Sequence, residues 1–324
     1  MYIIKELPED FIVEELPKCL GILERGDYCY FLLEKHNRNT DDAVREIASR
    51  LGKRQRDFHV AGIKDKKAVT RQYVSGFKVR KEQLERLKIA NCNIAFVGYG
   101  DFRLKLGQLE GNRFHIVVRN LEKKGKKVPF IENYFDEQRF SGRNALLGKA
   151  LVKREFRKFC FMLRLKWKGG DYVNAIRTIS KRRLIFYVNA YQSWLWNRTI
   201  AEYLAARLSK SWKVDYSMGE LVFSDERLED VDVAIIGYNS ELVEFEEIYV
   251  RLLEEEKLKQ GDFLIKELPE LISEGTTRKM YAELKGLSVK YEKDERHKDK
   301  IKAVLEFQLG PGSYATIVVR KMFG

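Results

Sequence analysis

The order of strand-like and helix-like segments along the chain constrains its fold more than any other feature. Alternating or aromatic apolar runs typical of strands fill the first part, up to residue 119, and return only from residue 289 onward. Between them, residues 129–208 have apolar side chains at helical spacing, and an acidic helix is predicted at 241–256. We therefore predict an α+β fold with a mixed or antiparallel sheet, not a doubly wound one, interrupted by an inserted, mainly helical module.

The predicted elements follow from these periods and from turn residues. Thr40 is the predicted N-cap of a helix that ends at Gly52. Further helical segments are predicted at 145–167 and 184–208. The predicted strands are 11–15, 28–33, 58–63, 69–77, 94–99 and 113–119, then 289–291, 303–309 and 313–320.

Charge gives the first indication of a partner. Lys and Arg number 61 against 48 Asp and Glu, a net charge of +13. A basic protein of this size commonly binds a polyanion, and RNA or DNA is the first candidate. Abundant charges of both signs are also typical of heat-adapted proteins, and the two interpretations are compatible.

Several classes of protein are disfavoured. The longest apolar stretches, such as 231–238 and 314–319, are far shorter than the ~18 residues that a spanning helix needs, so we expect no membrane partner. Charges near the start argue against a secretory signal, and we expect a cytoplasmic protein. The cysteines and histidines form no metal-binding motif, and no phosphate loop or dinucleotide fingerprint is present, so we expect no metal and no nucleotide cofactor.

One segment combines a single carboxylate with lysines at the end of an apolar run. Asp65 follows Lys64 and precedes Lys66 and Lys67. A carboxylate at the mouth of a basic cleft can act as a nucleophile or a base toward a nucleic acid. The alternative is a solvated hairpin turn in which Asp65 bonds local backbone N–H groups. The residues alone leave both interpretations open.

Three other segments join aromatic rings to amide or guanidinium groups. Asn112 can bond a base edge and Phe114 can stack on a base, although a turn entering a core strand is the alternative. Residues 133–140 mix aromatic rings, amides and Arg139, which suits RNA contact or the end of an amphipathic helix. Arg320 follows the glycine turn at 310–312 and could serve substrate or core.

These segments occur in one specific order along nearly the whole chain, although no single motif is decisive. The motifs are Pro8-Glu9-Asp10-Phe11, Gly62-x-Lys64-Asp65-x-x-Ala68-Val69-Thr70-x-Gln72, Gly111-Asn112-x-Phe114, Asn133-Tyr134-Phe135 with Gln138-Arg139-Phe140, Tyr191-Gln192-Ser193-x-Leu195-x-Asn197 and Ser313-Tyr314-Ala315-Thr316. Taken together, they resemble the TruD family of tRNA pseudouridine synthases.

The resemblance implies a pseudouridine synthase catalytic domain at 1–144 and 281–324, with an inserted TRUD domain at 145–280. It implies isomerisation of uridine to pseudouridine in tRNA, at position 13, without a cofactor. Asp65 falls on the catalytic aspartate, and Lys5 matches the basic residue that pairs with it. Glu9 belongs to the same entry segment as Lys5, and we predict both as substrate contacts.

The resemblance also assigns the substrate side of the site. Asn112 matches the family's active-site asparagine, and Phe114 matches the phenylalanine that lies against the target base. We predict Lys64, Arg139 and Arg320 as RNA contacts.

The chain departs from the family pattern at two positions, and a second class of function stays open. Asp136 replaces the usual glycine, and Lys321 replaces the usual glutamate. The alternative function for the same basic surface is a non-catalytic RNA-binding or RNA-chaperone protein. Asp65, Asn112 and Phe114 in their motif contexts favour the enzyme.

Overall fold

The computed structural model describes residues 1–141 and 143–324. The strands are β1 (Phe11–Pro17), β2 (Tyr28–His36), β3 (Phe58–Val60), β4 (Val69–Phe77), β5 (Cys92–Gly100), β6 (Leu109–Leu121), β7 (Ile131–Glu132), β8 (Trp212–Tyr216), β9 (Gly219–Phe223), β10 (Asp232–Ile235), β11 (Thr276–Lys279), β12 (Tyr281–Ala282), β13 (Leu284–Lys293) and β14 (Ile301–Leu309). The α-helices are α1 (Thr40–Arg50), α2 (Lys81–Glu85), α3 (Glu137–Phe140), α4 (Asn144–Val152), α5 (Phe156–Met162), α6 (Tyr172–Arg177), α7 (Lys181–Arg207), α8 (Glu246–Glu255) and α9 (Ala315–Phe323).

The chain divides into two compact units. The first, the sheet unit, comprises residues 1–126, 283–315 and 323. Its sheet has the strand order β13-β14-β6-β1-β4-β2-β5, and β3 pairs with β4 off this path. β1 and β4 are parallel, and the other neighbours in this sheet are antiparallel. The predicted α+β class with a mixed sheet is confirmed.

Helix α1 covers part of this sheet because its sequence is amphipathic. Ala43, Val44, Ile47 and Ala48 are buried and belong to one core cluster with the inward-facing side chains of β2. Thr40 is the first helical residue, and Asn39 occupies the cap position that we predicted for Thr40. The Thr40 hydroxyl does not cap the helix. It forms hydrogen bonds with Lys64 in the β3–β4 loop and with Gln72 in β4.

A buried ionic cluster fixes the N-terminal segment. Arg119 donates two hydrogen bonds to Asp10, Nη2 to Oδ1 at 2.8 Å and Nε to Oδ2 at 2.9 Å. Its Nη1 donates to Asp294 Oδ1 at 3.2 Å, and all three side chains are buried. Asp10 Oδ2 also accepts from the backbone N–H of Leu7 at 3.0 Å. Bidentate arginine–carboxylate pairs fix orientation as well as distance, so residues 7–10 have a defined path into β1.

The second unit, the helical unit, comprises residues 127–282, 316–322 and 324. Helices α4 and α7 pack closely at Gly148, where an added Cβ would lie 2.0 Å from the Tyr187 carbonyl oxygen. Only glycine permits this approach. Three small antiparallel pairs, β7–β12, β8–β9 and β10–β11, accompany the helices.

The last predicted strand, 313–320, is wrong, because this segment forms helix α9. Its β-branched residues Thr316, Ile317, Val318 and Val319 favour a strand. Side chains 317–319 are nevertheless all buried in the helix, so burial outweighs the intrinsic preference. The predicted strand 58–63 is also shorter, since β3 ends at Val60 and a loop follows.

The boundaries of the two units differ from the predicted domains at both ends. The helical unit begins at residue 127 and takes in residues 316–322 of α9. The assignment of catalytic and inserted domains to residue ranges stays a prediction. No α-helix among the described residues combines the length and apolar composition needed to cross a membrane.

Lys321, which replaces the usual glutamate of the family pattern, forms a buried ion pair with Glu132 within the helical unit. Its Nζ lies 3.0 Å from both carboxylate oxygens of Glu132, and neither side chain is exposed. The ammonium also lies 3.8 Å from the centre of the Phe130 ring. Burial lowers the pKa of Lys321 and raises that of Glu132, because each charge loses its hydration. The pair tolerates burial because each charge compensates the other.

Replacing Lys321 by methionine should therefore destabilise the protein by about 3–5 kcal/mol, because the Glu132 carboxylate loses its buried partner. Chemical denaturation of the full-length chain measures this loss. The double variant Lys321→Met with Glu132→Gln should recover much of the stability, since no buried charge remains. A single variant as stable as the wild type would contradict the inferred role of the pair.

Candidate active site

Hydrogen bonds on both sides of Ile63 hold the loop that carries Asp65. The Gln72 side-chain N–H donates to the Gly62 carbonyl at 3.1 Å. The Thr40 hydroxyl donates to Gln72 Oε1 at 2.9 Å and accepts from the Lys64 backbone N–H at 3.3 Å. Thr40 and Gln72 are both buried. The residues on either side of Ile63 are thus held by β4 and α1, and Asp65 comes next in the chain.

Two ammonium groups contact Asp65. Lys5 Nζ lies 2.7 Å from Asp65 Oδ2, and the Asp65 side chain is 19% exposed. Lys35 Nζ donates to the Asp65 backbone carbonyl at 2.6 Å. Lys5 has a left-handed backbone with φ 56°, a conformation that non-glycine residues rarely adopt. The carboxylate is therefore partly accessible, ion-paired and fixed on its main-chain side.

The role of Lys35 was missed in the sequence. Its side chain is fully buried, and burial lowers its pKa to about 8, although the nearby Asp65 acts in the opposite direction. Lys35 continues the inward-facing series of β2 after Phe31 and Leu33. A lysine at a core position of an alternating strand is the signal that could have identified it.

The neighbouring Lys64 is also buried, in an ion pair. Its Nζ lies 2.5 Å from Glu15 Oε2, and the Glu15 side chain is not exposed. The second oxygen of Glu15 accepts from the Tyr73 backbone N–H at 3.2 Å. In this geometry Lys64 connects the Asp65 loop to β1. Its predicted contact with RNA stays a prediction.

A series of rings connects the Lys5–Asp65 pair to Phe114. Lys5 Nζ lies 4.0 Å from the centre of the Phe11 ring. Phe11 meets Phe114 edge-on at 6.3 Å, and Phe114 stacks on Phe307 at 5.4 Å with an interplanar angle of 27°. The structure thus brings Phe114 into the same cluster as Lys5. Phe11 and Phe307 were not predicted as site residues, although both lie on the buried face of alternating strands.

Asn112 lies on the same part of the sheet. In β6 it is the register partner of Glu15 on one side and of Leu309 on the other. Its Oδ1 atom is buried and has no hydrogen-bond partner among the described residues. A buried unpaired acceptor is costly, so this atom is suited to receive an N–H donor from a ligand.

Glu9 lies outside this cluster of rings and charges, on the lining of an open cleft of about 490 Å³. His36, Asn37 and Asn91 also line that cleft. Glu9 is exposed at the 3-10 turn Pro8–Asp10.

Arg139 and Arg320 belong to the helical unit. Arg139 Nε donates to Ser193 Oγ at 3.0 Å, and its guanidinium lies 5.2 Å from the Phe186 ring centre. Arg320 donates to the Asp215 carbonyl at 2.7 Å and to Asp136 Oδ1 at 3.0 Å. Asp136, which replaces a glycine of the family pattern, thus supplies a carboxylate to Arg320. The predicted RNA contacts of both arginines stay predictions.

The aromatic rings of the 133–140 segment have a structural role. Tyr134 and Phe135 are buried, and Asn197 forms two hydrogen bonds with the Phe135 backbone, at 2.8 and 2.9 Å. Two of the motifs noted in the sequence therefore bind each other within the helical unit. Within the part of the chain that the structure describes, no three His, Cys, Asp or Glu side chains form a group that could hold a metal ion.

Known proteins resemble this chain in sequence. The family model described as "tRNA pseudouridine synthase D (TruD)" matches residues 2–164, 160–232 and 226–322. The "tRNA pseudouridine synthase D" of Aquifex aeolicus is 31% identical, over 99% of this chain and 97% of that protein. The "Probable tRNA pseudouridine synthase D 1" of Methanocaldococcus jannaschii is 30% identical, over 98% and 94% respectively.

A solved structure agrees with these matches. The crystal structure of a Methanosarcina mazei protein assigned to TruD superposes with a TM-score of 0.72, over 99% of this chain and 93% of that chain. Its sequence identity is 24%, so this likeness shows the fold. Because the family model spans most of the sequence and the relatives align over nearly their full length, the chain belongs to the TruD family of tRNA pseudouridine synthases.

Proposed function

We propose that this protein converts uridine to pseudouridine in tRNA, at position 13, and that the Asp65 carboxylate starts the reaction. The observation that carries this proposal is the partly accessible Asp65 side chain, 2.7 Å from the Lys5 ammonium and in one cluster with Phe114. Full-length relatives named for this activity support it. The cytoplasmic location and the independence from metal and nucleotide cofactors are parts of the same proposal.

The chemistry needs little beyond a positioned carboxylate. The N1–C1′ bond of uridine breaks, the base turns, and a C5–C1′ bond forms. The proton at C5 is released to solvent and N1 takes up a proton, so that product and substrate are isomers. A carboxylate can start this sequence by attacking C1′ or by promoting elimination from the sugar. Both routes begin at Asp65, and the Lys5 ammonium compensates the carboxylate's negative charge in a partly enclosed site.

The target base has to leave its stack, which costs a few kcal/mol. We place the uracil beside Phe114, where stacking on an aromatic ring stabilises the flipped base by about 1–3 kcal/mol. The uracil N3–H is the donor that Asn112 Oδ1 would accept, since that oxygen is buried and unpaired among the described residues. Asn112 and Phe114 thereby orient the base toward Asp65.

Lys35 has a positioning role in this proposal. Its ammonium holds the main-chain carbonyl of Asp65 and not the reacting carboxylate. The Glu9 side chain, at the exposed cleft, is proposed as a substrate contact on the protein surface. Exposed cations would bind phosphates without reading sequence, so affinity for tRNA should fall steeply with salt.

Asp65→Asn should abolish turnover and retain tRNA binding, because the amide keeps the shape but lacks the charge. We expect tritium release from tRNA labelled at C5 of uridine to fall on the order of 10⁴-fold or more. The matched control is Asp41→Asn, which removes an exposed carboxylate from α1 and should be silent. Undiminished release by Asp65→Asn would refute its catalytic role, and tRNA binding without any release by the wild type would favour a non-catalytic RNA-binding protein.

Phe114→Ala should slow turnover about 5- to 150-fold, the equivalent of the stacking free energy. The slope of tRNA affinity against salt should not change, because no phosphate contact is lost. Phe114→Leu, which keeps most of the buried volume, separates loss of the ring from loss of packing. A smaller salt slope in either variant would instead assign Phe114 to phosphate binding.

The buried Lys35 should make stability depend on pH. Its pKa falls from the ordinary 10.5 to about 8 on folding, so between these values the unfolded chain binds the extra proton. The free energy of unfolding of the wild type should therefore rise, relative to Lys35→Met, as the pH increases from 8 to 10. Denaturant titrations of both proteins across this window measure the difference, and a pH-independent difference would contradict the assignment.

A further inference from the structure

A short stretch of the helical unit carries a high density of positive charge. Residues 153–186, here called the basic segment, contain eleven Lys and Arg against two Asp and Glu. Their net charge is +9, the same as that of residues 50–88 in the sheet unit, which are spread over a longer stretch. The segment runs from the end of α4 through α5 and α6 into the first turns of α7. Like charges at this density repel, which favours a polyanionic partner.

The cations of the basic segment divide into two groups. Some support the fold: Arg154 pairs with Asp262 at 3.1 Å, and Lys158 pairs with Glu155 at 2.6 Å. Others are exposed and have no acidic partner within 4.0 Å among the described residues. These are Arg157, Arg164, Lys166, Lys168, Lys181 and Arg182.

Aromatic rings are exposed among these cations. Phe161 is 76% exposed, Trp167 38% and Phe186 37%. Their neighbours show that the segment is folded: Phe159 is buried and its ring lies 6.0 Å from that of Tyr187 in α7. Helix α5 is thus anchored by Phe159, while Phe161 remains outside the core.

The loop after α5 is also ordered. The Leu165 backbone N–H donates to the Cys160 carbonyl at 2.9 Å, and the Trp167 and Tyr172 rings lie 5.4 Å apart. The cations at 164, 166 and 168 therefore project from a fixed loop. Ordered cations lose less conformational entropy on binding than cations on a flexible tail.

We propose that the basic segment is an RNA-docking surface, in which the unpaired cations bind phosphates and Phe161 stacks on an unpaired nucleotide. Cationic grooves with exposed rings are the means by which proteins bind single-stranded nucleic acid without reading its sequence. The proposal rests on the proposed function, because the RNA that docks here is the RNA that Asp65 modifies. The basic segment contributes affinity, and the chemistry stays with the sheet unit.

The experiment compares two full-length triple variants. Arg164→Gln, Lys166→Gln, Lys168→Gln removes three cations of the basic segment. Arg56→Gln, Arg86→Gln, Lys88→Gln removes three exposed cations of the sheet unit that likewise have no acidic partner among the described residues. Dissociation constants for tRNA are measured as a function of salt, together with tritium release at saturating tRNA.

The docking surface predicts that the first triple variant binds tRNA at least about tenfold more weakly and lowers the salt slope by about 2–3, near 0.9 per lost phosphate contact. Its turnover at saturating tRNA should equal that of the wild type. Phe161→Ala should weaken binding about 5- to 150-fold without changing the salt slope. The sheet-unit triple variant should change both quantities much less.

Equal tRNA affinity and salt slope in the two triple variants would overturn the docking surface. Binding of the wild type and of the first triple variant to anionic phospholipid vesicles is measured in parallel. The proposal would also be overturned if the first triple variant lost vesicle binding but kept its tRNA affinity, because the partner would then be a membrane surface. These outcomes leave the proposed function intact as long as the wild type releases tritium. Absence of release by the wild type would instead refute the proposed function, while the binding data would still decide whether RNA docks here.

Discussion

The ion pair between Lys5 and Asp65 is the contact on which the proposed site depends. Residues distant in the sequence hold both of the segments that carry Lys5 and Asp65. Lys5 enters through a segment held by the buried Asp10–Arg119–Asp294 cluster. Asp65 enters through a loop held by Thr40. Because the two residues are 60 positions apart, the pair forms only when β1, β4 and β6 are in register. The site thus depends on the tertiary pairing of the sheet and not on one local segment.

Buried lysines recur in this chain, and each has an oxygen partner. Lys35 donates to a main-chain carbonyl, Lys64 pairs with Glu15, and Lys321 pairs with Glu132. An ammonium without such a partner would lose its hydration without compensation. Two of these lysines, Lys35 and Lys64, hold the Asp65 loop. Their buried charges therefore help to fix the position of the Asp65 carboxylate.

The sequence predicted the class of fold and most strands, because alternation of buried and exposed side chains is a local signal. It failed at α9, where a run of β-branched residues favours a strand and burial within the helix outweighs that preference. Motif order indicated Asp65, Lys5 and Phe114. Glu15 and Phe307 went unnoticed because their roles arise from pairing between distant strands, whereas Lys35 was signalled locally by its core position in β2. The rings at 134 and 135 suggested RNA contact, but both are buried in the helical unit. Asn197 bonds the Phe135 backbone, and the Tyr134 hydroxyl donates to the Val222 carbonyl.

The most direct measurement of the central claim is the rate at which pseudouridine appears in an unmodified tRNA transcript, mapped to single nucleotides and followed for the wild type and for Lys5→Met. We expect one new pseudouridine, at position 13, formed by the wild type and formed much more slowly by Lys5→Met at equal tRNA affinity. Conversion by Lys5→Met at the wild-type rate would contradict the claim that the Lys5–Asp65 pair starts the reaction.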